Sequence, residues 1–150
     1  MIQLSKPSDN MGGLLNLWAV PTSDFYVNGQ NIVFSSTDNI CQLYCSAESL
    51  AYKEASKRTR AGMHYNCSVS AFIPKDTQEI QRVLNKMEYR LYVVVFQDGN
   101  GNYKLSGSSF YPLRLSASLE TGKQTSDRAG YKIEFSGETI SRAIFINNPF

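Results

Sequence analysis

Oxygen-bearing side chains recur at every second position in FQDGNGNYKL, residues 96 to 105, where Asp98, Asn100 and Asn102 stand between glycines and two apolar runs. A calcium loop opens in this way. Counted from Asp98, a loop of the EF-hand type needs glycine at its sixth position for a sharp turn and a bidentate glutamate at its twelfth. Tyr103 and Ser109 occupy those positions. The flanks LYVVVF and YKL are strand-like, and Gly and Asn tolerate the positive φ angles of a tight connection. The stretch is therefore expected to be a hairpin corner, and no metal site is expected.

Cys41, Cys45 and Cys67, with the single His64 near the third, invite a four-ligand zinc reading. Read as one regular strand, ICQLYCS separates the first two cysteine Cα atoms by roughly 13 Å. Both thiolates could not then reach one zinc ion, whose bonds to sulfur are about 2.3 Å, nor could the pair form an unstrained disulfide. Free, reduced thiols are expected. A nucleophilic pair of His64 with Cys67 fails on alternation, because positions an odd number apart on a strand point to opposite faces. Asp98, Glu120, Asp127, Glu134 and Glu138 fall in turns or on wet strand faces, where solvation is their expected role. Neither a P-loop nor a GxGxxG after a strand is present. The expectation is no catalytic residues, no cofactor, no small-molecule substrate and no enzyme activity.

The elements that position these residues belong to a chain of one-domain size. At 150 residues it is long enough to bury a core without staples, and 42% hydrophobic against 19% charged residues excludes the disordered class. A net charge of +2 leaves no global field for nucleic acid or an anionic membrane. The start MIQLSKPSDNMGG lacks an apolar signal core, and no apolar run approaches the roughly 18 residues of a membrane span. Neither export nor membrane contact is expected, so Asn66-Cys67-Ser68 is not expected to carry a glycan.

Residues 1–13 read as an N-terminal arm and 14–150 as a single β-rich domain with a C-terminal tail. LLNLWAV is a first strand, and Asn28-Gly29 between FYV and IVF is a hairpin signal. ICQLYCS is a strand candidate. Residues 47–56 fit helix or strand alike, and 57–62 reads as an exposed loop. In HYNCSVSAFIP, Tyr65, Cys67, Val69, Ala71 and Ile73 share one face of a period-2 ladder that Pro74 ends. Ile80, Val83, Leu84 and Met87 recur at helical spacing, with Asp76 or Thr77 as cap, giving one helix over about 76–88. Residues 89–97 are apolar on both faces and so central; PLRLSASLE, YKIEFSG and RAIFI follow as strands. The fold class is mainly β or α+β: an antiparallel sandwich or open barrel of about eight strands with one helix.

Two groups stand apart from this core. Lys53, Lys57, Arg58 and Arg60 form a basic cluster suited to phosphate contacts, which, with the aromatics as stacking platforms, gives the alternative of a nucleic-acid-binding β-barrel module. The terminal residues Met1, Ile2, Leu4, Phe145, Asn148 and Phe150 are expected to form an assembly interface, because a polar arm and an apolar chain end have little of their own domain to pack on.

The ladder HYNCSVSAFIPKD, the run YVVVFQDGNGNYKLSGSSFYPLRLSASLETGKQTSDRAGYKIEFSG and the closing AIFINNPF together resemble small structural proteins from the virion modules of tailed bacteriophages and prophages of gut bacteria. The resemblance covers about the C-terminal two thirds of the chain. It implies a tube-like tail component or a neck (connector) component, made in the host cytoplasm and incorporated in the virion. Such a subunit is β-rich, has no enzyme activity, and assembles into homo-oligomeric rings and with other virion proteins through hairpins and arms. In that setting the basic cluster would touch passing DNA, and a tube subunit would reach the next ring by an extended loop, for which 47–62 is the segment available.

Overall fold

The computed structural model describes residues 12–150. Eleven strands and one helix follow in the order β1 (Leu14–Pro21), β2 (Phe25–Asn28), β3 (Asn31–Phe34), β4 (Cys41–Gln42), β5 (Ala51–Thr59), β6 (Gly62–Pro74), α1 (Gln78–Met87), β7 (Leu91–Asp98), β8 (Tyr103–Ser106), β9 (Leu113–Glu120), β10 (Gly130–Thr139) and β11 (Ile144–Ile146). The eleven exceed the expected eight or so; β5 is the one whose sequence fitted helix or strand alike, and β4 and β11 are the shortest, of two and three residues. All pairings are antiparallel. Of the expected arm, residues 1–11 lie outside the described residues. The Gly13 carbonyl accepts the Gly99 N–H at 3.1 Å, which ties the start of β1 to the corner after β7.

The apolar run of β7 is buried on both faces from Tyr92 to Phe96, as a central strand requires. One edge pairs with β1; the other is shared by β8, along Val94–Gln97, and β9, at Leu91 and Tyr92. The sheet continues from β9 through β10 and β6 to β5. That arm folds back over the face of β7 carrying Tyr92, Val94 and Phe96. Tyr92 meets Phe135 of β10 edge-on at 5.9 Å, and Phe96 meets Tyr52 of β5 at 4.5 Å between ring centroids. Cys67, Val69, Ala71 and Ile73 fill the same core, confirming the ladder of β6, while Leu84 and Met87 of α1 cover it. Thr77 caps the helix by accepting the Ile80 N–H.

The opposite face of β7, with Val93 and Val95, forms a second core with Trp18 and Val20 of β1 and Leu105 of β8, lidded by the β2–β3 hairpin through Ile32. Gly29, at φ 64°, supplies the left-handed backbone that the two-residue connection of that hairpin demands.

Two expectations are corrected here. ICQLYCS is not one strand, since its bonding to β1 goes no further than the Leu43 N–H to the Leu17 carbonyl at 3.0 Å, and the Ser46 N–H is already bonded to the Phe72 carbonyl of β6 at 2.8 Å. The straight-strand separation of Cys41 and Cys45 therefore does not apply. Among the described residues, nonetheless, no three His, Cys, Asp or Glu side chains gather as a metal would require. The second correction concerns 57–62: no loop runs there, because β5 continues to Thr59 and turns directly into β6 at Gly62.

Candidate assembly surfaces

The basic residues sit on this β5–β6 ribbon. Within β5, alternation divides them. Lys53 and Lys57 lie opposite Ser68 and His64 on the outer face, whereas Arg58 shares the side of the core-facing Tyr52 and Glu54, and Arg60 is in the turn. The four do not form a single basic patch. The ladder between β10 and β6 ends at Thr139↔Tyr65, so the pairs Lys57↔His64, Arg58↔Met63 and Thr59↔Gly62 and their turn extend beyond the sheet. The outer edge of β5 has no strand partner among the described residues. Among the described residues this ribbon is held by its own ladder and, at its base, by the approach of His64 to Glu138, a marginal arrangement in water. None of the exposed aromatic side chains lies on β5 or β6, so stacking platforms and basic groups are separated.

His64 and Cys67 point to opposite faces, as alternation dictates. His64 Nδ1 is 3.6 Å from Glu138 Oε1 on the outer face, while Cys67 is buried, its sulfur 3.4 Å from Thr139 Oγ1. Asp98 uses its carboxylate inside its own loop: Oδ1 accepts the N–H groups of Asn100 and Asn102, each at 2.9 Å, and Oδ2 accepts Asn102 Nδ2 at 3.2 Å. FQDGNGNYKL is a hairpin corner, closed between β7 and β8.

The carboxy end is better housed than its sequence suggests. Phe150, half exposed, stacks on Trp18 at 4.5 Å and on Phe34 at 5.4 Å, continuing the second core outward. Asn147 donates its N–H to Gln30 and its side-chain amide to Asn31, both at 2.8 Å, and Asn148 Oδ1 accepts the Phe150 N–H at 3.0 Å. The expectation that Phe150 finds little of its own chain is therefore corrected. Phe145 is exposed, with Lys104 Nζ 4.4 Å above its ring. Met1, Ile2 and Leu4 lie outside the described residues.

Sequence reasoning missed a side-chain seam. β5 and β11 stand at opposite ends of the sheet path. Glu54 on β5 nevertheless accepts Arg142 Nη1 at 2.7 Å, the Ala143 N–H at 3.0 Å and the Tyr52 hydroxyl at 2.9 Å; that hydroxyl is also 3.2 Å from Ser106 Oγ at the end of β8. The segment entering β11 is thereby sewn to β5. Burial pushes the Glu54 carboxyl up, but the bonds from Ala143, Arg142 and Tyr52 outweigh it and hold it below the ordinary range. The Tyr52 hydroxyl is pushed far up, chiefly by burial. An acid at an inward position of a strand was the available signal.

No protein-family model, curated protein or solved structure matches the chain.

Proposed function

We propose that the chain is a structural subunit of a tailed-phage virion, a tube-like tail or neck component that assembles into rings. The observation that supports this reading best is the β5–β6 ribbon, which extends past the β10 ladder carrying Lys57, Arg58 and Arg60, with an edge of β5 that has no strand partner among the described residues. Such an extended element is suited to a neighbouring subunit, which could add a strand to that edge.

Electron microscopy and native mass spectrometry of the purified chain test the proposal. Rings or tubes are expected, and Lys57→Ala/Arg58→Ala/Arg60→Ala should reduce their assembly. A chain that stays monomeric at high concentration and forms neither overturns it. Binding to single strands that weakens steeply with salt, and that the same triple variant abolishes, would instead establish the nucleic-acid module.

A further inference from the structure

β5 pairs with β6 along its whole length, and its other edge has no strand partner among the described residues. Its charges are divided between the two faces. Glu54 and Arg58 lie on the core-facing side with Tyr52 and Ser56, and Lys53 and Lys57 on the outer side. Arg142 reaches Glu54 from the β6 side, away from the edge, with its guanidinium 4.9 Å from the centre of the Tyr65 ring. Lys53, Lys57 and Arg58 have neither an ion-pair nor a hydrogen-bond partner among the described residues.

We propose that this edge pairs with the β5 edge of a second copy, antiparallel, about a two-fold axis through Ser56. Each residue of such a pair faces the one equally far from the axis in the other copy, and like charges directly opposite destabilise the ladder. Lysines on an edge ordinarily deter pairing for that reason. With Lys53, Glu54, Lys57 or Arg58 on the axis, that residue meets its own copy. With Ala55 there, Lys53 meets Lys57 twice; with Thr59, Arg58 meets Arg60. Ala51 or Tyr52 on the axis leaves no more than residues 51–53 of the strand paired. Ser56 alone keeps like charges apart over 53–59: Lys53 faces Thr59, Lys57 faces Ala55, and Glu54 of each copy faces Arg58 of the other. The fit is thus written in one strand and used twice, which favours a second copy over an unrelated segment. A second copy also brings its own ribbon. A two-stranded ribbon is marginal in water, and β5 and β6 of two copies make four strands side by side.

The inference goes beyond the ring reading and does not rest on it, since a two-fold contact closes at two copies. Sedimentation should show a dimer of this 16.8 kDa chain. The Ser56→Cys variant, oxidised by dissolved oxygen with a copper catalyst, should couple into covalent dimers, each disulfide forming as two thiols lose two protons and two electrons. Two controls should couple at no more than about a tenth of that rate. One is Lys53→Cys, which this register sets opposite Thr59 and far from its own counterpart; the other is the parent chain, whose cysteines are buried or half-buried. Arg58→Glu sets an acid against Glu54 and should raise the dissociation constant about tenfold, while Arg58→Lys leaves it near the parent's. A chain monomeric at every concentration, or a dimer whose Ser56→Cys form couples no faster than Lys53→Cys, overturns the pairing. Rings that assemble with Ser56→Cys uncoupled also overturn it, while leaving the ring proposal standing. Coupled dimers that never build rings sustain the pairing and overturn the ring proposal.

Discussion

Asp98 and the cysteines show how neighbours decide what a reactive side chain can do. A calcium ion at Asp98 would have to displace two backbone N–H groups and an amide already bound to its carboxylate. Calcium is therefore expected to leave the melting temperature unchanged. Asp98→Ala should lower stability by about 0.5 to 1.5 kcal/mol, the usual worth of such bonds; a melting temperature that rises with calcium would contradict this. For the thiols, burial pushes Cys45 up to about 11, with Cys41 adding to the effect, and burial raises Cys41 as well. Only the thiolate attacks an alkylating agent. Iodoacetamide at neutral pH should label these two far more slowly in the folded chain than in urea, and equal rates would refute the environment described. The Asp98 corner was legible because turn chemistry is local. The transfer of the chain from β1 at Leu43 to β6 at Ser46 was not, because it depends on the bond from Ser46 to distant Phe72.

Strand β5 was ambiguous for a physical reason. AYKEASKRT is rich in Ala, Lys and Glu, which favour helix, and only pairing along β6 over nine residues makes it a strand. β6 needed no such help, since its alternation of apolar and polar residues is unbroken from Tyr65 to Ala71. The seam fixed by Glu54 yields a pH prediction. Its carboxyl is held below the ordinary glutamate value, so the unfolded chain takes up its proton first as pH falls. The contribution is full above about pH 4.3 and lost on descending through the lower folded value. Glu54→Gln should cost about 1 to 3 kcal/mol at neutral pH, as charged hydrogen bonds do. In melts followed by circular dichroism, the gap between parent and variant should close as pH drops below about 4. A gap independent of pH would mean that the seam does not act through its charge.

At the scale of the molecule, the described residues form an antiparallel sheet folded over on itself, with no backbone pairing among them that closes it and with a hairpin lid on its second face. Antiparallel β architecture with one helix was readable from periodicity, punctuation and a capped amphipathic segment. The housing of the carboxy end was hidden, because Trp18 and Phe34 are remote from Phe150 in sequence and only the finished fold makes them adjacent. Deleting residues 147–150 is therefore expected to reach beyond any interface. Losing a half-buried phenylalanine and two hydrogen bonds should destabilise the isolated subunit by about 1 to 3 kcal/mol. At about 2 to 4 °C per kcal/mol, the loss is measurable by calorimetry. An unchanged melting temperature would return the tail to a role in assembly alone.

The stack of Phe150 on Trp18 also gives the molecule an optical signal of its own. The chain contains one tryptophan, and the last residue covers it. Its fluorescence therefore reports on a single place, the junction between the tail and the second core. When the tail lifts, the indole meets water and emission moves to longer wavelength. Should the proposed assembly engage the tail or cover the junction, the spectrum would change with no label added, so the proposal can be followed at this end in the unmodified protein.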